Sequence, residues 1–142
     1  MSNKVFVDTN ILVYTCDRSE PKKQKQALEV LDRLVSTATG VISTQVLAEF
    51  FVAVTSTRKF ASPMSKVEAY EYVQDYMSAW EVVSITPMIV LEAVRGVCHY
   101  QLSLWDAQLW AAARLNQIPV IYSEDFNVGA VLEGVSFINP FS

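Results

Sequence analysis

The feature that most constrains the fold is an alternation of short, β-branched apolar runs with longer stretches of helical periodicity. The first run, Val5-Phe6-Val7, has the length and composition of a buried strand. The predicted strands are residues 5–7, 41–42, 82–85, 120–122 and 137–138. Between them, apolar residues recur at helical spacing. Strands separated by helices predict an α/β fold with a mainly parallel β-sheet flanked by α-helices.

Helical periodicity also predicts which residues face the core. The helix after Pro21 is expected to bury Leu28, Leu31, Leu34 and Val35. Leu47, Phe50, Phe51 and Val54 follow the i, i+3, i+4, i+7 pattern in a later helix, with Ser43 or Thr44 as its N-cap. The tryptophans Trp80, Trp105 and Trp110 are expected to be packing residues.

The size of the chain predicts one domain over residues 1–142. A chain of this length buries roughly two-thirds of its unfolded surface, and 51% of its residues are hydrophobic. The longest apolar runs have five residues, against the roughly 20 that cross a bilayer. Because the amino terminus also lacks the apolar stretch of a signal peptide, we expect a cytoplasmic protein with no membrane partner.

Acidic side chains follow the predicted strands, and in open α/β sheets ligands bind beyond the carboxyl ends of the strands. Asp8 directly follows the first strand in the triplet Asp8-Thr9-Asn10, which is predicted to end that strand in a loop. Asp125 follows a late strand. Glu49 lies near the start of the helix after the second strand, and Asp106 lies in the first turn of another helix. Their spacing alone does not bring them together, but a shared sheet edge would.

Carboxylates that converge raise one another's pKa, and a divalent cation relieves the repulsion. An all-oxygen ligand set selects Mg²⁺ or Mn²⁺ rather than zinc. The single histidine, His99, and the two separated cysteines argue against a zinc site. Two ions about 3.5–4 Å apart are an arrangement that hydrolyses phosphodiesters. These residues therefore indicate one or two Mg²⁺ or Mn²⁺ ions if the four acids meet.

Each acid also has a purely structural interpretation. An aspartate at a strand end, such as Asp8, commonly forms a turn by accepting bonds from neighbouring amides. Asp106 occupies the acidic position of a capping box, where it favours the helix dipole. Glu49 shares a polar stripe with Gln45 on an otherwise apolar helix. Periodicity does not decide whether that stripe faces solvent or a polar cleft.

Four segments of the chain, in this order, resemble the PIN domain, specifically the VapC-type toxins of prokaryotic toxin–antitoxin pairs. The segments are Val5 to Tyr14 (VFVDTNILVY), Ser43 to Phe50 (STQVLAEF), Leu102 to Ala107 (LSLWDA) and Tyr122 to Phe126 (YSEDF). The resemblance covers essentially the whole chain. It implies a parallel-sheet fold and an endoribonuclease that depends on Mg²⁺ or Mn²⁺.

The resemblance also implies roles for individual residues. Asp8, Glu49, Asp106 and Asp125 match the metal-binding and catalytic acids, with Glu124 as an alternative to Asp125. The supporting polar residues implied are Asn10, Ser123 and Thr9. Hydrolysis of RNA by a metal-activated water, leaving a 5′-phosphate and a 3′-hydroxyl, is the implied reaction. The implied partners are an RNA substrate, a small antitoxin protein and a second copy of the chain in a homodimer.

Other functions remain open or are excluded by particular residues. A phospho-receiver domain needs a late lysine, but the last lysine here is Lys66. A dehalogenase-type phosphatase needs Asp-x-Asp after the first strand, whereas residue 10 is asparagine. A stand-alone RNA-processing nuclease and a non-catalytic interaction module remain as alternatives. The candidate RNA-binding residues are Lys22, Lys23, Lys25, Arg58 and Lys59.

The net charge of −4 is compatible with an RNA substrate. Fifteen Asp and Glu stand against eleven Lys and Arg, so assigning four acids to one site leaves the remaining charges balanced. The excess can therefore be one focused cation-binding pocket on an otherwise neutral protein. We expect modest, metal-dependent affinity for RNA rather than tight electrostatic binding.

Overall fold

The computed structural model describes residues 2–126 and 129–141, and within them the strands form one six-stranded sheet. The strands are β1 (Val5–Val7), β2 (Gly40–Ser43), β3 (Glu81–Val83), β4 (Val120–Tyr122), β5 (Val131–Leu132) and β6 (Val135–Ile138). Their order is β3-β2-β1-β4-β6-β5, and every neighbouring pair is parallel except β5 and β6. The predicted α/β fold with a mainly parallel sheet is confirmed. The strand β5 has no counterpart among the predicted strands.

The helices of the described residues alternate with these strands. They are α1 (Thr9–Tyr14), α2 (Pro21–Ser36), α3 (Thr44–Val54), α4 (Lys66–Ala79), α5 (Pro87–His99) and α6 (Leu104–Leu115). Side-chain oxygens of Ser43, Ser65, Thr86 and Ser103 accept bonds from amides in the first turns of α3, α4, α5 and α6. Ser43, rather than Thr44, is therefore the N-cap of α3. None of the described helices is long and apolar enough to cross a membrane.

The residues that follow β1 form a helix, so the prediction of a loop there is wrong. Asp8 is the N-cap of α1, and its Oδ1 accepts a bond from the Thr9 amide at 2.7 Å. Ile11, Leu12 and Val13 of this short helix are buried. A polar triplet after a strand is typical of a turn, but the apolar residues that follow it here stabilise a helix in the core.

The core face of α2 is rotated from the predicted one. Leu31 and Leu34 are buried as expected, but Leu28 and Val35 are 45% and 47% exposed. Ala27 and Val30 are buried in their place, and residues 27, 30, 31 and 34 follow the i, i+3, i+4, i+7 pattern. The predicted face included the large side chains of Leu28 and Val35, which the structure leaves exposed. The small Ala27 side chain, which is fully buried, marks the correct one.

The sheet centre determines where a ligand site can form. β1 lies between β2 and β4, and Phe6 and Val7 are fully buried there. The chain passes from β1 outward to β2 and β3, and then returns to the other side of β1 at β4. The carboxyl ends of β1 and β4 meet where the Asp8 amide donates to the Tyr122 carbonyl at 2.9 Å. Such a reversal of strand order opens a crevice that commonly binds ligands.

Candidate active site at the carboxyl ends of the strands

A cavity of about 350 Å³ lies at this edge of the sheet. The four predicted acids, Asp8, Glu49, Asp106 and Asp125, all line it, although they come from four separate segments of the chain. Thr9, Asn10, Gln45, Lys59, Trp105 and Glu124 are among its other lining residues. We call this cavity the acid cleft. The topology thus brings together the four carboxylates that spacing alone could not place.

Asp8 lies deeper in the protein than Asp106 and Glu124. Its Oδ1 accepts from the Thr9 amide at 2.7 Å, and its Oδ2 accepts from Ser123 Oγ at 2.7 Å. The pKa of Asp8 is raised to about 6: burial raises it most, the two bonds lower it in part, and the nearby charges of Asp106 and Asp125 add to the increase. The ionised form of Asp8 is therefore costly in the absence of a cation.

Asn10 and Ser123 connect Asp8 to Asp125. Asn10 Nδ2 donates to Asp125 Oδ2 at 2.9 Å and reaches Ser123 Oγ at 3.5 Å. Ser123 Oγ, which donates to Asp8, accepts from the Asp125 amide at 3.1 Å. Asn10 therefore restrains the carboxyl group of Asp125, and Ser123 restrains that of Asp8.

Glu49 faces the cleft, which answers the question that its polar stripe left open. Its Oε1 accepts from Thr9 Oγ1 at 2.9 Å and from Gln45 Nε2 at 3.4 Å. Thr9 therefore orients Glu49 through its hydroxyl while its amide bonds Asp8. The polar stripe of α3 is directed at other polar groups of the site, as in a helix that borders a cleft.

Asp106 combines a structural and a site position. Its amide donates to Ser103 Oγ at 3.1 Å, which confirms the N-cap of α6. Its carboxylate lines the acid cleft. Burial raises the pKa of Asp106, and the charges of Asp125 and Glu49 add to the increase. Asp106 therefore lies in the capped first turn of α6 and at the acid cleft at the same time.

Glu124 and Asp125 occupy different environments, although both line the cleft. Glu124 accepts from Tyr14 Oη at 2.6 Å and forms an ion pair with Lys23. Burial acts to raise the pKa of Glu124, but the bonds from Lys23 and Tyr14 outweigh it and hold the pKa below its ordinary value. Asp125 is bonded by Asn10 and repels the charges of Asp8 and Asp106. Geometry therefore favours Asp125 over Glu124 as the fourth acid.

The predicted RNA-binding residues differ in their position relative to the acid cleft. Lys59 is exposed and lines the acid cleft, whereas Lys23 is ion-paired with Glu124. Lys22 and Lys25 are exposed on α2, and Arg58 is exposed in the segment after α3. None of these three lines the acid cleft. Lys59 is thus the basic residue that the cleft itself presents.

Among the tryptophans, the prediction of packing holds for two and is wrong for one. Trp80 is 9% exposed and Trp110 is fully buried, so both belong to the core. Trp105 is 60% exposed and lines the acid cleft. Trp105 lies in the first turn of α6, before residues 107–113, which are all buried.

A glutamine pair that the sequence did not identify joins α3 to α6 beside the cleft. Gln108 Nε2 donates to Gln45 Oε1 at 2.6 Å, and Gln45 Nε2 donates to the Trp105 carbonyl at 3.2 Å. The same amide group of Gln45 reaches Glu49. The only sequence signal was the polar position of Gln45 four residues before Glu49. Its hydrogen-bond partner, Gln108, lies on another helix, so this contact can be identified only from the tertiary structure.

The donor set of the cleft fits a hard divalent cation. Its acids supply only oxygen ligands, which Mg²⁺ and Mn²⁺ prefer. Asn10 Oδ1 is buried and, among the described residues, has no hydrogen-bond partner, as expected of an acceptor at a hydrated site. Within residues 2–126 and 129–141, no three His, Cys, Asp or Glu side chains are already arranged to hold an ion. Repulsion among like charges accounts for carboxylates that line a cavity instead of converging on one point.

Comparison with protein families gives one match, and it covers most of the chain. The family model described as PIN domain matches residues 5–131. This range includes all four acids of the cleft and the polar residues that bond them. A comparison with curated proteins finds no match.

Solved structures similar to this chain share its fold over almost the whole length. A toxin–antitoxin complex from Klebsiella pneumoniae has a TM-score of 0.70 and 20% identity, covering 96% of this chain and 98% of that one. VapC20 from Mycobacterium tuberculosis, described as a sarcin-ricin loop cleaving toxin, has a TM-score of 0.65 and 18% identity, with coverages of 92% and 98%. FitAcB from Neisseria gonorrhoeae has a TM-score of 0.68 and 16% identity, with coverages of 96% and 98%. At these identities the likeness establishes the fold alone.

Proposed function

The chain belongs to the PIN domain family, and from this premise we propose that it is an endoribonuclease that depends on Mg²⁺ or Mn²⁺. The observation that carries the proposal is the convergence of Asp8, Glu49, Asp106 and Asp125 on one cavity at the carboxyl ends of the strands. Asp8 is buried among these charges with a pKa raised to about 6. A group of unpaired carboxylates of this kind is stabilised by a bound cation. The proposal treats residues 1–142 as one catalytic domain.

In the proposed site, Asp8, Glu49 and Asp106 hold the principal ion. Asp125 completes that site or supports a second ion. Asn10 and Ser123 keep Asp8 and Asp125 in place through the bonds described above. Thr9 orients Glu49 at 2.9 Å through its hydroxyl. These bonds restrain the carboxyl groups of Asp8, Glu49 and Asp125 before an ion binds.

The proposed reaction adds one water molecule across the P–O3′ bond of RNA. The water oxygen becomes part of a 5′-phosphate, and the water proton that is not retained there ends on the 3′-hydroxyl. A divalent ion in such a site activates the water and stabilises the leaving oxygen. None of the four carboxylates forms a covalent bond to RNA. Their role is to keep the positive charge of the cation at the phosphate that reacts, and to fix the arrangement of the metal ligands.

We also propose that the nuclease is the toxin of a toxin–antitoxin pair in the cytoplasm. The family match supports this, together with similar structures described as toxin–antitoxin complexes or as toxins. Met88, Leu91 and Leu115 are exposed and line one surface cavity, which supports the covering of this surface by a partner protein. The proposed partners are a small antitoxin and a second copy of this chain.

The deciding experiment is cleavage of RNA by the purified protein with Mn²⁺ or Mg²⁺, with a chelator, and as Asp8→Asn. We expect cleavage only by the unchanged protein with metal, and products that carry a 5′-phosphate. Asparagine keeps the shape of the side chain and can cap α1, so the variant is expected to fold. Equal activity in Asp8→Asn, or activity that survives EDTA, would contradict the metal mechanism.

Toxicity tests the biological part of the proposal separately. Expression of the unchanged chain is expected to arrest growth, while Asp8→Asn is expected to be tolerated. Co-expression of the product of a neighbouring reading frame should restore growth if that product is the antitoxin. Cleavage without growth arrest would favour the stand-alone RNA-processing nuclease.

A further inference from the structure

Trp105 is a large aromatic side chain that the fold leaves unpacked at the acid cleft. It is 60% exposed, whereas the other two tryptophans are buried. It lies directly before Asp106 and lines the same cavity as all four acids. Scattered exposed apolar residues are ordinary. An exposed tryptophan inside a polar cavity, beside a candidate metal ligand, calls for a ligand with a flat, apolar face.

The backbone that carries this ring is held in place. The Trp105 carbonyl accepts from Gln45 at 3.2 Å, and Gln45 is in turn bonded by the largely buried Gln108 at 2.6 Å. Ser103 caps the same turn of α6 by bonding the Asp106 amide. The ring therefore projects from a fixed point of the cleft wall, one residue from a carboxylate. Its position relative to the acids is set by the fold.

The negative charge of the acid cleft determines which kind of ligand the Trp105 ring can bind favourably. Six acidic side chains line the cavity, so RNA phosphates alone are repelled until cations are bound. A nucleobase is neutral, and its stacking on an aromatic ring adds affinity without opposing that charge. Lys59, also exposed at the cleft, offers a cation for a neighbouring phosphate. Together, the two side chains can attach RNA outside the group of acids.

We propose that the indole of Trp105 is a stacking platform for an unpaired nucleobase next to the phosphodiester that is cleaved. This inference rests on the proposed ribonuclease function and adds a substrate-positioning residue to it. A base inside a duplex has both faces covered by its neighbours, so stacking on Trp105 requires a base that is splayed out of a helix. The site therefore selects single-stranded or looped RNA.

Tryptophan fluorescence tests the contact directly. Because Trp80 and Trp110 are buried, Trp105 is the tryptophan that solvent and ligands reach. We would titrate the Asp8→Asn protein in Mg²⁺ with a short single-stranded oligoribonucleotide, and with an oligomer of the same backbone without bases. Stacking predicts loss of emission with the first ligand and not with the second. Equal responses to both ligands, or no response to the RNA, would overturn the inference.

Kinetics test the role of the ring in turnover. Trp105→Ala is expected to raise KM about tenfold with kcat changed less than about twofold, since base stacking on aromatic rings contributes at this scale. Trp105→Phe should recover most of the loss because it retains an aromatic face. Tyr70, on α4 and also 60% exposed, lies outside the cleft, so Tyr70→Ala is the matched control with unchanged KM.

The outcomes separate this inference from the proposed function. Quenching by RNA without cleavage by the unchanged protein would reject the nuclease and leave the stacking contact supported. Cleavage by the unchanged protein with equal KM in Trp105→Ala and Tyr70→Ala would support the nuclease and overturn the stacking role. Quenching by an arginine-rich peptide but not by RNA would assign Trp105 to a protein partner and would also overturn it.

Discussion

Two clusters of charged side chains in this molecule place their carboxyl groups in opposite electrostatic environments. In the acid cleft, Asp8 and Asp106 have raised pKa values because burial and neighbouring acids disfavour their charge. At the other cluster, which we call the arginine network, Glu92 and Glu133 bond Arg95, Arg114 and Tyr100. Bonds from Arg95 and Tyr100 hold the pKa of Glu133 at about 2.

This difference distinguishes carboxylates that stabilise the fold from carboxylates that are candidates for binding a ligand. Each carboxylate of the arginine network has its cation within the protein: Arg95 Nε lies 2.6 Å from Glu92 Oε1, and Arg95 Nη2 lies 2.8 Å from Glu133 Oε1. Among the described residues, no ion pair is formed by any of the four acids of the cleft. A charge that the fold leaves uncompensated is a candidate for an external cation.

The largest expected effect is on catalysis, and it should occur at one cluster only. Asp106→Asn is expected to lower the rate of RNA cleavage by about a thousandfold or more, because it removes the charge of a proposed metal ligand from the cleft. Glu92→Gln removes a carboxylate from the arginine network and should leave the rate within about twofold. Cleavage of a single RNA by both purified variants is the measurement. A comparable loss in both would show that the two clusters are not functionally distinct.

The next largest effect is on the free energy of unfolding, which a substitution in the acid cleft is expected to increase rather than decrease. Without metal at pH 7, Asp8→Asn is expected to stabilise the protein by up to about 3 kcal/mol, since a pKa raised from 3.8 to about 6 penalises the charged form of Asp8. The folded state binds the proton more tightly than the unfolded chain. The stability of the unchanged protein should therefore fall as pH rises from about 4 to 6.

Thermal unfolding in EDTA between pH 4 and 7 measures this effect. The Tm of the unchanged protein should fall over that pH interval because Asp8 loses its proton there. The Tm of Asp8→Asn should lack this part of the decrease. If the variant instead loses stability at pH 7, then the bonds from Thr9 and Ser123 outweigh burial, and Asp8 is primarily a helix cap.

Metal should have an effect of similar or smaller size. Mn²⁺ at a hundredfold excess over its Kd is expected to stabilise the unchanged protein by about 2.7 kcal/mol, because it binds only the folded state. Asp106→Asn should lose most of this stabilisation, whereas Glu92→Gln should keep it. Calorimetric or fluorescence melting curves with and without EDTA provide the comparison. An equal shift in both variants would place the ion outside the acid cleft.

The smallest effect is expected in the arginine network. Glu133→Gln should lower Tm by about 1–3 °C at pH 7 and low salt, since partly exposed ion pairs contribute little. The depressed pKa of Glu133 means that its contribution is present above its ordinary value of 4.5 and is lost as pH falls toward 2. Melting curves of both proteins should converge over that interval. They should also converge in high salt, which screens these charges.

Much of the fold and the identity of the four acids were predictable because they depend on local pattern and on a motif. Val5-Phe6-Val7 is a buried strand because its residues are apolar and β-branched or aromatic, and Asp8 is adjacent to it in sequence. The positions of Glu49 and Asp106 beside Asp8 follow from parallel topology. Their roles as metal ligands stay predictions until an ion is measured.

What the sequence could not predict depends on contacts between distant segments. Local pattern predicted a loop where α1 lies, because it gave more weight to a polar triplet than to capping by Asp8. It also assigned Trp105 to the core, since a tryptophan at a helix start is usually packed. The bonds of Glu124 to Tyr14 and Lys23, which distinguish it from Asp125, join segments about a hundred residues apart.

The N-cap position of Asp8 has a consequence for inheritance. Its Oδ1 bonds the first amide of α1 while its charge serves the cleft, so two properties depend on one side chain. Asparagine caps helices about as well as aspartate, but carries no charge. If the acid cleft is the proposed nuclease site, a single base change in the Asp8 codon abolishes its activity without unfolding the protein. The resulting allele would still occupy any partner that recognises its surface, and would act as a decoy rather than as an absent gene.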